Sequence, residues 1–541
     1  MPIDLQIHPS RLGLTLLYQE IHVLNILTTI QNTMELNWTL VLISSITVLF
    51  LIHLRQKYAT TGRKRQPPSP PGWPVFGNLF NLGTMPHRTV AGLAKDYGPV
   101  ITLKLGSVNT VVILSAKAAT EFFKNHDLTF MERTITETSK SHSYHKSSLA
   151  LAPYGMYWRV LRKICTVEML VAKRINESSA VRRRCVDDML IWIEKEADSA
   201  QTGTGIHVAK FVFLASFNLL GNLMLSRDLA GPDSKLASEF FTVMMGMMEW
   251  GGIPNISDLY PSLKRFDLQG LRKKMDQDTG KAIKIATEWV EERLENRRKE
   301  VEHSGDRRKD FLDVLLDYKG TGKDEPEKMS EKDITIFILE IFLAGSETTS
   351  STVEWALSEL LRCPEKMVRA KNELNLVIGP NQKLEESSID SLPYLQAIIK
   401  ETLRLHAPIP FLVPRKAAHD TEFMGYHIPK DTQLFVNAWA IGRDPECWEN
   451  PNSFEPERFL GSKIDYRGQH FELIPFGGGR RMCVGVPLAH RVLHLVLGSL
   501  LHEFDWELES HVKAENLDMK DKMGIVVRKL EPLKAIPKKL K

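Results

Sequence analysis

The sequence predicts a mostly helical fold with minor β-sheets, in one large domain that follows a short apolar segment. The chain has 541 residues, of which 43% are hydrophobic and 25% are charged, so it carries enough apolar surface for a large core. Helical periodicity dominates, and it is clearest at residues 270–301, 332–363, 392–405 and 486–501. Short strand-like segments occur at residues 100–105, 110–114, 433–437 and 524–529.

Charge and cysteine content exclude several classes of protein. The formal net charge of +4 is small for 541 residues, so we expect no nucleic-acid partner. The five cysteines form no CxxC pair, which argues against a disulfide framework and against a zinc ribbon or finger. This cysteine usage is typical of a reducing compartment.

The first distinct element along the chain is an apolar segment at residues 36–54. Its nineteen residues lie between Glu35 and Arg55 and include no Lys, Arg, Asp or Glu. As a helix it would be about 28 Å long, close to the hydrocarbon thickness of a bilayer, about 30 Å. Basic residues follow it, which favours a cytoplasmic location for the remainder. We expect an uncleaved transmembrane anchor, with a signal peptide or a buried core helix as the alternatives.

Two segments flank this anchor. Residues 1–33 carry few charged side chains and precede Met34, so we expect a disordered extension or a start codon assigned too far upstream. Residues 55–77 are basic and rich in proline, which excludes a helix and stiffens the chain. We therefore expect a hinge over residues 55–77, followed by a catalytic domain over residues 78–541.

The most informative stretch begins at Phe476 and reads FGGGRRMCVG. It does not fit a dinucleotide-binding loop, because Met482 stands where the third glycine should be. It offers a glycine-rich turn and a single cysteine, Cys483, just before a predicted helix. A helix start favours a thiolate, and neighbouring glycines let a flat macrocycle approach the backbone. The alternative for a lone cysteine is a small buried apolar residue.

This stretch resembles the signature of the cytochrome P450 superfamily, F-x-x-G-x-R-x-C-x-G. The fixed positions are met at Phe476, Gly479, Arg481, Cys483 and Gly485, and the resemblance covers about residues 34–535. It implies the cytochrome P450 fold and a haem b cofactor, which is iron protoporphyrin IX. It also implies that Cys483 is the thiolate ligand of the iron and that Phe476 contacts the cofactor; a thiolate ligand favours O–O cleavage.

Further matches concern the haem propionates. Trp158 and Arg162 match the WxxxR motif of the family, and Arg415 matches another propionate-binding position. The resemblance implies that these residues and Arg481 bind the two propionate groups, since guanidinium groups pair strongly with carboxylates.

A second group of matches concerns structure behind the haem. Glu401 and Arg404 match the ExxR motif, which alone is usually a surface ion pair. Residues 454–459 then read FEPERF, which includes Arg458. The resemblance implies that Glu401, Arg404 and Arg458 form a structural network.

The middle of the long apolar helix reads AGSETT, a poor helix-forming sequence. The resemblance assigns Glu347 and Thr348 as an acid–alcohol pair that passes protons to dioxygen, which needs a positioned hydroxyl and a carboxylate. The alternative is a polar kink in a buried helix.

The anchor, the proline-rich segment and the form of the cysteine motif resemble plant microsomal enzymes of this superfamily. Residues 488–491 and 499–506 resemble the branch that includes geraniol hydroxylases and iridoid oxidases. The resemblance implies a monooxygenase that hydroxylates or oxidises a small apolar plant metabolite, with a monoterpenoid or iridoid favoured over a flavonoid or another phenolic. An apolar pocket with few polar groups fits either class.

The same resemblance implies partners and a location. The chain has no nicotinamide or flavin motif, so electrons would come from NADPH-cytochrome P450 reductase, which carries the NADPH and flavin sites. We expect a single-pass protein of the endoplasmic reticulum membrane, in contact with lipid, with its catalytic domain in the cytosol.

Two other functions are open. A haem-thiolate isomerase or dehydratase would need no proton delivery to dioxygen, so Glu347 and Thr348 argue against it. A non-enzymatic haem sensor would not need proton delivery beside a propionate site.

Substrate contacts are expected in five stretches of the chain, residues 133–157, 244–260, 338–348, 409–413 and 523–526. The apolar candidates within them are Phe342, Phe411, Leu412 and Ile525.

Overall fold

The computed structural model describes residues 37–41, 43–45, 47–48, 64–201, 203–299 and 309–540. The described part of the predicted anchor is helical and exposed. The remainder of residues 36–54, and all of residues 1–33, lie outside the described residues, so both remain predictions.

The predicted hinge at residues 55–77 is divided between two units. Arg65–Pro71 belong to the large unit together with Asn78–Lys541, whereas Gly72–Gly77 belong to a small one. Within the large unit, the carbonyl oxygen of Pro68 accepts a hydrogen bond from the N–H of Thr102 at 2.7 Å. The large unit therefore begins earlier in the chain than residue 78.

Helices make up most of the large unit, as predicted. In chain order they are α1 Pro86–Gly92, α2 Ala94–Tyr97, α3 Ala116–Glu121, α4 Tyr144–Ser147, α5 Met156–Lys163, α6 Ala172–Glu177, α7 Ser179–Ser199, α8 Val208–Leu225, α9 Lys235–Gly252, α10 Ile256–Leu259, α11 Leu271–Lys299, α12 Phe311–Leu316, α13 Glu331–Arg362, α14 Pro364–Val377, α15 Pro393–Leu405, α16 Ala438–Ile441 and α17 Val486–Glu503.

Short strands form the minor sheets. They are β1 Val100–Leu105, β2 Val108–Ile113, β3 Glu132–Arg133, β4 Ile206–His207, β5 Arg415–Lys416, β6 Thr421–Phe423, β7 Tyr426–Ile428, β8 Gln433–Val436, β9 Phe504–Leu508, β10 Asp521–Lys522, β11 Arg528–Lys529 and β12 Lys534–Lys539. A five-stranded sheet has the order β1-β2-β8-β5-β3, and a three-stranded sheet has the order β4-β12-β9. The pairing of β3 with β5 places Arg133 opposite Arg415.

The long helix α13 runs between two hydrophobic clusters. One cluster is formed mainly by α7, α8, α13, α14, α15 and α17, and the other by α5, α8, α9, α11, α12 and α13. The side chain of Ser330 caps the helix by accepting a hydrogen bond from the N–H of Asp333 at 3.1 Å. Pro364 follows its end, which suits a helix stop. This packing fixes the helix that carries Glu347 and Thr348.

Among the described residues, α8 has the length and hydropathy of a membrane span. Its mean hydropathy is 1.6 over 18 residues, and 83% of it is buried inside the protein. Because α8 packs against α7 and α13, it serves as a helix of the core.

Candidate functional site

A cavity in the large unit lies beside Cys483, between α13 and the segment that precedes α17. The empty space at this site is about 1300 Å³ when its part open to solvent is counted. All the residues predicted to bind the cofactor line it, namely Trp158, Arg162, Arg415, Phe476, Arg481 and Cys483. Residues far apart in the sequence therefore meet around one space.

The glycine-rich turn presents Cys483 to this cavity. Gly477 and Gly479 have φ angles of 74° and 65°, a region that favours glycine. The N–H of Cys483 donates to the carbonyl oxygen of Phe476 at 3.0 Å, and the N–H of Gly485 donates to Cys483 Sγ at 3.3 Å. The side chain has exposed surface although it lies within the protein, because it faces the cavity.

The surroundings of the Cys483 thiol act in both directions on its ionisation. Burial raises the pKa of the thiol above its ordinary value, and the backbone N–H of Gly485, the Arg162 guanidinium and the backbone N–H of Val486 oppose that rise without cancelling it. These donors favour a thiolate, the form that ligates a metal ion.

Side chains with N–H donors form one wall of the cavity. Trp158 Nε1 donates to the carbonyl oxygen of Leu149 at 2.9 Å, and the Arg481 guanidinium stacks 4.4 Å from the centre of the Trp158 ring. Arg162 Nη1 donates to the carbonyl oxygen of Met482 at 2.5 Å. These bonds hold the indole and both guanidinium groups in place.

Arg415 and Arg133 complete this wall. Arg415 Nη1 donates to Asp127 Oδ1 at 2.7 Å. Arg133 donates through Nε to the carbonyl oxygen of Ala150 at 2.8 Å and through Nη1 to that of Val413 at 2.6 Å. No motif in the sequence pointed to Arg133 as a cofactor residue; its position opposite Arg415 in the sheet is what brings it to the cavity.

The wall fits a cofactor that carries carboxylates. It gathers the guanidinium groups of Arg133, Arg162, Arg415 and Arg481. The Nε atom of Arg481 is buried and has no hydrogen-bond partner among the described residues. Arg415 has Asp127 as a counter-charge, but Arg481 donates only to backbone carbonyl oxygens among the described residues. Because a buried cation without a counter-charge is costly, this wall suits the propionate groups of haem, with the Cys483 thiol available to its iron.

The structure separates the predicted acid–alcohol pair. Thr348 lines the cavity, and its hydroxyl donates to the carbonyl oxygen of Ala344 at 2.6 Å. Glu347 is buried, and its Oε1 lies 3.6 Å from Nη1 of Arg528 on β11. Burial raises the pKa of Glu347, and Arg528 lowers it. Only the alcohol faces the cavity directly, and Arg528 is a neighbour that no sequence motif indicated.

The predicted structural network is assembled away from the cavity. Arg404 donates from Nε and Nη2 to the two oxygens of Glu401, each at 2.7 Å, and both side chains are fully buried. Arg458 Nε lies 3.2 Å from Glu401 Oε1. Arg404 also donates to the carbonyl oxygens of Gly442 and Pro451 at 2.6 and 2.7 Å. The network joins α15 to two loops that precede the cysteine motif.

Of the four apolar side chains named as candidates for substrate contacts, the structure places one at the cavity. Leu412 lines the cavity, but Phe342, Phe411 and Ile525 do not. Phe342 is fully buried and packs against Trp289, with ring centres 5.2 Å apart. Because α13 is apolar on most of its circumference here, the sequence could not assign Phe342 to the core side. The apolar lining includes Leu149, Ile341, Ala344, Ile409, Leu412, Val413 and Val484. All of these except Val484 lie within the ranges expected for substrate contacts.

Residues 67–534 match the family model described as Cytochrome P450. The chain belongs to the cytochrome P450 family. Cytochrome P450 76A2 of Solanum melongena is 58% identical, over 94% of this chain and 100% of its own. The iridoid oxidase of Catharanthus roseus is 50% identical, over 91% of this chain and 95% of its own. A zebra fish cytochrome P450 structure with progesterone has a TM-score of 0.70 at 24% identity, and the match covers 84% of this chain and 99% of that one.

Family membership confirms the predicted fold and enzyme class. This P450 is a cytochrome P450 monooxygenase, and the family implies haem held by a cysteine thiolate. The isomerase, dehydratase and sensor alternatives fall with that assignment.

Proposed function

We propose that this P450 binds haem through Cys483 and oxidises an apolar plant terpenoid. The observation that carries the proposal is the convergence of Cys483 and the N–H donors of the wall on one largely apolar cavity. When bound there, haem supplies the centre at which dioxygen is split, with one atom entering the substrate and the other leaving as water.

The chain's own residues hold the cofactor and exclude water. Cys483 Sγ provides the iron ligand, and the N–H of Gly485 stabilises its negative charge. The predicted propionate residues Trp158, Arg162, Arg415 and Arg481, together with Arg133, would hold the propionate groups, which need bidentate or charge-assisted donors when buried. The apolar lining of the cavity excludes water and accepts a hydrocarbon substrate.

Proton delivery is assigned to Thr348 and Glu347. The Thr348 hydroxyl lies at the cavity surface and donates to Ala344, so its oxygen is available to accept a proton from within the protein. The Glu347 carboxyl lies one residue earlier on α13, beside Arg528. A rotation of the Glu347 side chain, or a bridging water, would carry a proton from its carboxyl to Thr348.

A terpenoid substrate is favoured by the relatives of this P450. A chain that is 50% identical over nearly its whole length is named an iridoid oxidase, and the cavity lining is mostly aliphatic. Microsomes that contain the enzyme should oxidise monoterpenoid alcohols or iridoids faster than flavonoids of similar size. A reversed preference would favour the phenolic alternative.

The electron donor and the location form a separate part of the proposal. NADPH-cytochrome P450 reductase is the partner, because the sequence holds no nicotinamide or flavin motif. The apolar residues 36–54 anchor the enzyme in the endoplasmic reticulum membrane. Product formation should require both NADPH and the reductase, and deletion of residues 1–54 should release the enzyme from carbonate-washed microsomes.

Cys483→Ala tests the haem ligand. The variant should lose the thiolate-type band in the reduced carbon monoxide difference spectrum and should form no product. Cys447→Ala is the matched control, because Cys447 is exposed and does not line the cavity. Retention of the band and of activity in Cys483→Ala would overturn the proposal.

A further inference from the structure

Glu340 on α13 is a buried carboxylate in the wall of the cavity. It is 7% exposed, and it lines the cavity together with Ala344 and Thr348. Spacings of four residues place these three side chains on one face of the helix. A buried carboxylate needs hydrogen-bond donors or a cation to remain ionised, so its partners indicate its role.

The partners of Glu340 belong to the segment at residues 148–152, here called the carbonyl loop, which precedes α5. Ser148 Oγ donates to Glu340 Oε1 at 2.5 Å, and the N–H of Ala150 donates to the same oxygen at 3.1 Å. The N–H of Leu149 donates to Oε2 at 2.6 Å. Both carboxylate oxygens are therefore engaged by the loop and hold it against α13.

The carbonyl groups of the same loop bind the donors of the cofactor wall. The carbonyl oxygen of Leu149 accepts from Trp158 Nε1 at 2.9 Å and from Arg481 Nη1 at 3.4 Å. That of Ala150 accepts from Arg133 Nε at 2.8 Å. The carbonyl oxygen of Ala152 accepts from Arg481 Nη2 at 2.7 Å. The loop thus lies between one carboxylate and the side chains that face the propionate groups.

This arrangement links the Glu340 carboxyl to the arginines. Burial raises the pKa of Glu340, and the hydrogen bonds from the carbonyl loop and the charge of Arg133 oppose that rise. The N–H groups of Leu149 and Ala150 donate to the Glu340 carboxyl. The carbonyl oxygens of the same two residues accept from the Trp158 indole and from arginine side chains. Such chains of hydrogen bonds strengthen one another in a low dielectric. Burial and the neighbouring Arg415 and Arg481 lower the pKa of Arg133, whereas Asp127 and Glu340 raise it.

We propose that Glu340 is a positioning residue for the cofactor. It holds the carbonyl loop in the conformation that orients Arg133, Trp158 and Arg481 towards the haem propionates. The inference rests on the proposed haem site, and it assigns to a residue of α13 a function distinct from that of Thr348 on the same face. Loss of the carboxylate loosens the cofactor but leaves the thiolate ligand in place.

Glu340→Gln tests this role, because an amide has one acceptor oxygen where the carboxylate has two. In the purified holoenzyme, hydrogen–deuterium exchange should become faster at the amides of Leu149 and Ala150. Transfer of haem to an excess of apomyoglobin should become about tenfold faster, since one buried donor of the loop is left without its acceptor. The thiolate-type carbon monoxide band should remain.

Glu354→Gln is the matched control. Glu354 is also a buried carboxylate of α13, but it accepts from the N–H of Leu533 at 2.8 Å and does not touch the carbonyl loop. Its haem transfer rate should equal that of the wild type. Glu340→Asp, which retains the charge, should restore most of the haem retention that Glu340→Gln loses.

Either of two results would overturn the role of Glu340 and leave the proposed function standing. One is haem transfer from Glu340→Gln at the wild-type rate, and the other is haem transfer from Glu354→Gln that is as fast as from Glu340→Gln. If Glu340→Gln does not fold, Ser148→Ala removes a single donor and is measured in its place. A modest acceleration would support the inference and an unchanged rate would contradict it. A wild-type enzyme that binds no haem would overturn the proposed function and this inference together.

Discussion

Two buried carboxylates, Glu401 on α15 and Glu347 on α13, differ in how completely their oxygens are used. Glu401 accepts hydrogen bonds from Arg404 and from the backbone N–H of Glu455 at 2.7 Å, and Arg458 Nε lies 3.2 Å away. Glu347 has Arg528 on one side at 3.6 Å, beyond ordinary hydrogen-bond distance. One carboxylate is saturated with donors and the other is loosely paired.

The difference separates a structural role from a chemical one. A saturated carboxylate cannot rotate or take up a proton without breaking several buried hydrogen bonds. A loosely paired carboxylate loses little when it turns or changes its protonation state. Glu401 is therefore suited to fixing loops, and Glu347 is suited to moving protons next to Thr348.

The largest expected effect comes from Glu401→Gln. The amide leaves the fully buried Arg404 guanidinium without its counter-charge, whereas Arg458 keeps Glu455 Oε2 at 3.2 Å. Breaking a buried pair in this way costs about 3–5 kcal/mol. We expect little or no folded, haem-containing enzyme in microsomes, measured as total haem and as the carbon monoxide difference spectrum. Glu295→Gln is the control, because Glu295 pairs with Lys299 on an exposed stretch of α11. A Glu401→Gln enzyme with wild-type yield would show that saturation does not indicate a structural role.

The saturated network and the cysteine motif are the parts whose residues the sequence motifs had grouped and the structure brings together. Each depends on a short motif whose residues lie on one helix or one turn, as with Glu401 and Arg404 or with Phe476 and Cys483. The helix predicted at residues 332–363 is α13, Glu331–Arg362, because apolar periodicity and Pro364 define it locally.

The parts that the sequence missed depend on long-range packing. Arg133 reaches the cavity through the pairing of β3 with β5, and Arg528 on β11 meets Glu347. Glu340 accepts its hydrogen bonds from the carbonyl loop. Phe342 was one candidate for a substrate contact, with core packing as the alternative, and the structure places it in the core. A helix that is apolar nearly all round has no sequence signal for its cavity face.

The second prediction is that Glu347→Gln folds normally but turns over slowly. The amide fills the same space and cannot release a proton, so product formation should fall about a hundredfold, within the range for loss of acid–base catalysis. Substrate-induced spectral changes and haem content should match the wild type. The measurement is product formed per NADPH consumed, together with the solvent deuterium isotope effect. Turnover and isotope effect equal to those of the wild type would remove Glu347 from proton delivery.

The third prediction concerns Arg528. Burial raises the pKa of Glu347 and Arg528 lowers it, so Arg528→Met should raise that pKa further. The limb of the pH–rate profile that reports Glu347 should therefore move to higher pH, whether the ionised or the protonated form is the active one. Arg528→Lys retains the positive charge and should move the limb less. A limb that stays in place in Arg528→Met would show that this pair does not control the carboxyl.

The smallest expected effect tests a third carboxylate of α13, Glu354, which lies between the two extremes. It accepts the N–H of Leu533 at 2.8 Å. Burial raises its pKa from the ordinary value of 4.5 to about 7, and Leu533, Lys529 and Arg528 oppose that rise. A raised pKa of this kind means that the native state binds the proton more tightly than the unfolded chain does.

The sign of the pH dependence follows from that difference. The stabilising contribution of protonated Glu354 is fully present below pH 4.5 and is lost as the pH rises through about 7. A pKa difference of one corresponds to about 1.4 kcal/mol, so the loss of stability is up to about 3 kcal/mol.

Glu354→Gln tests this loss, because its side chain is neutral at every pH and keeps an oxygen that accepts from the N–H of Leu533. Its melting temperature should equal that of the wild type near pH 5 and exceed it by a few degrees at pH 8, whereas Glu295→Gln should show no such divergence. A constant difference in melting temperature between Glu354→Gln and the wild type from pH 5 to pH 8 would contradict this prediction. It would mean that the carboxyl is ionised in the folded enzyme. Leu533, Lys529 and Arg528 would then together offset its burial.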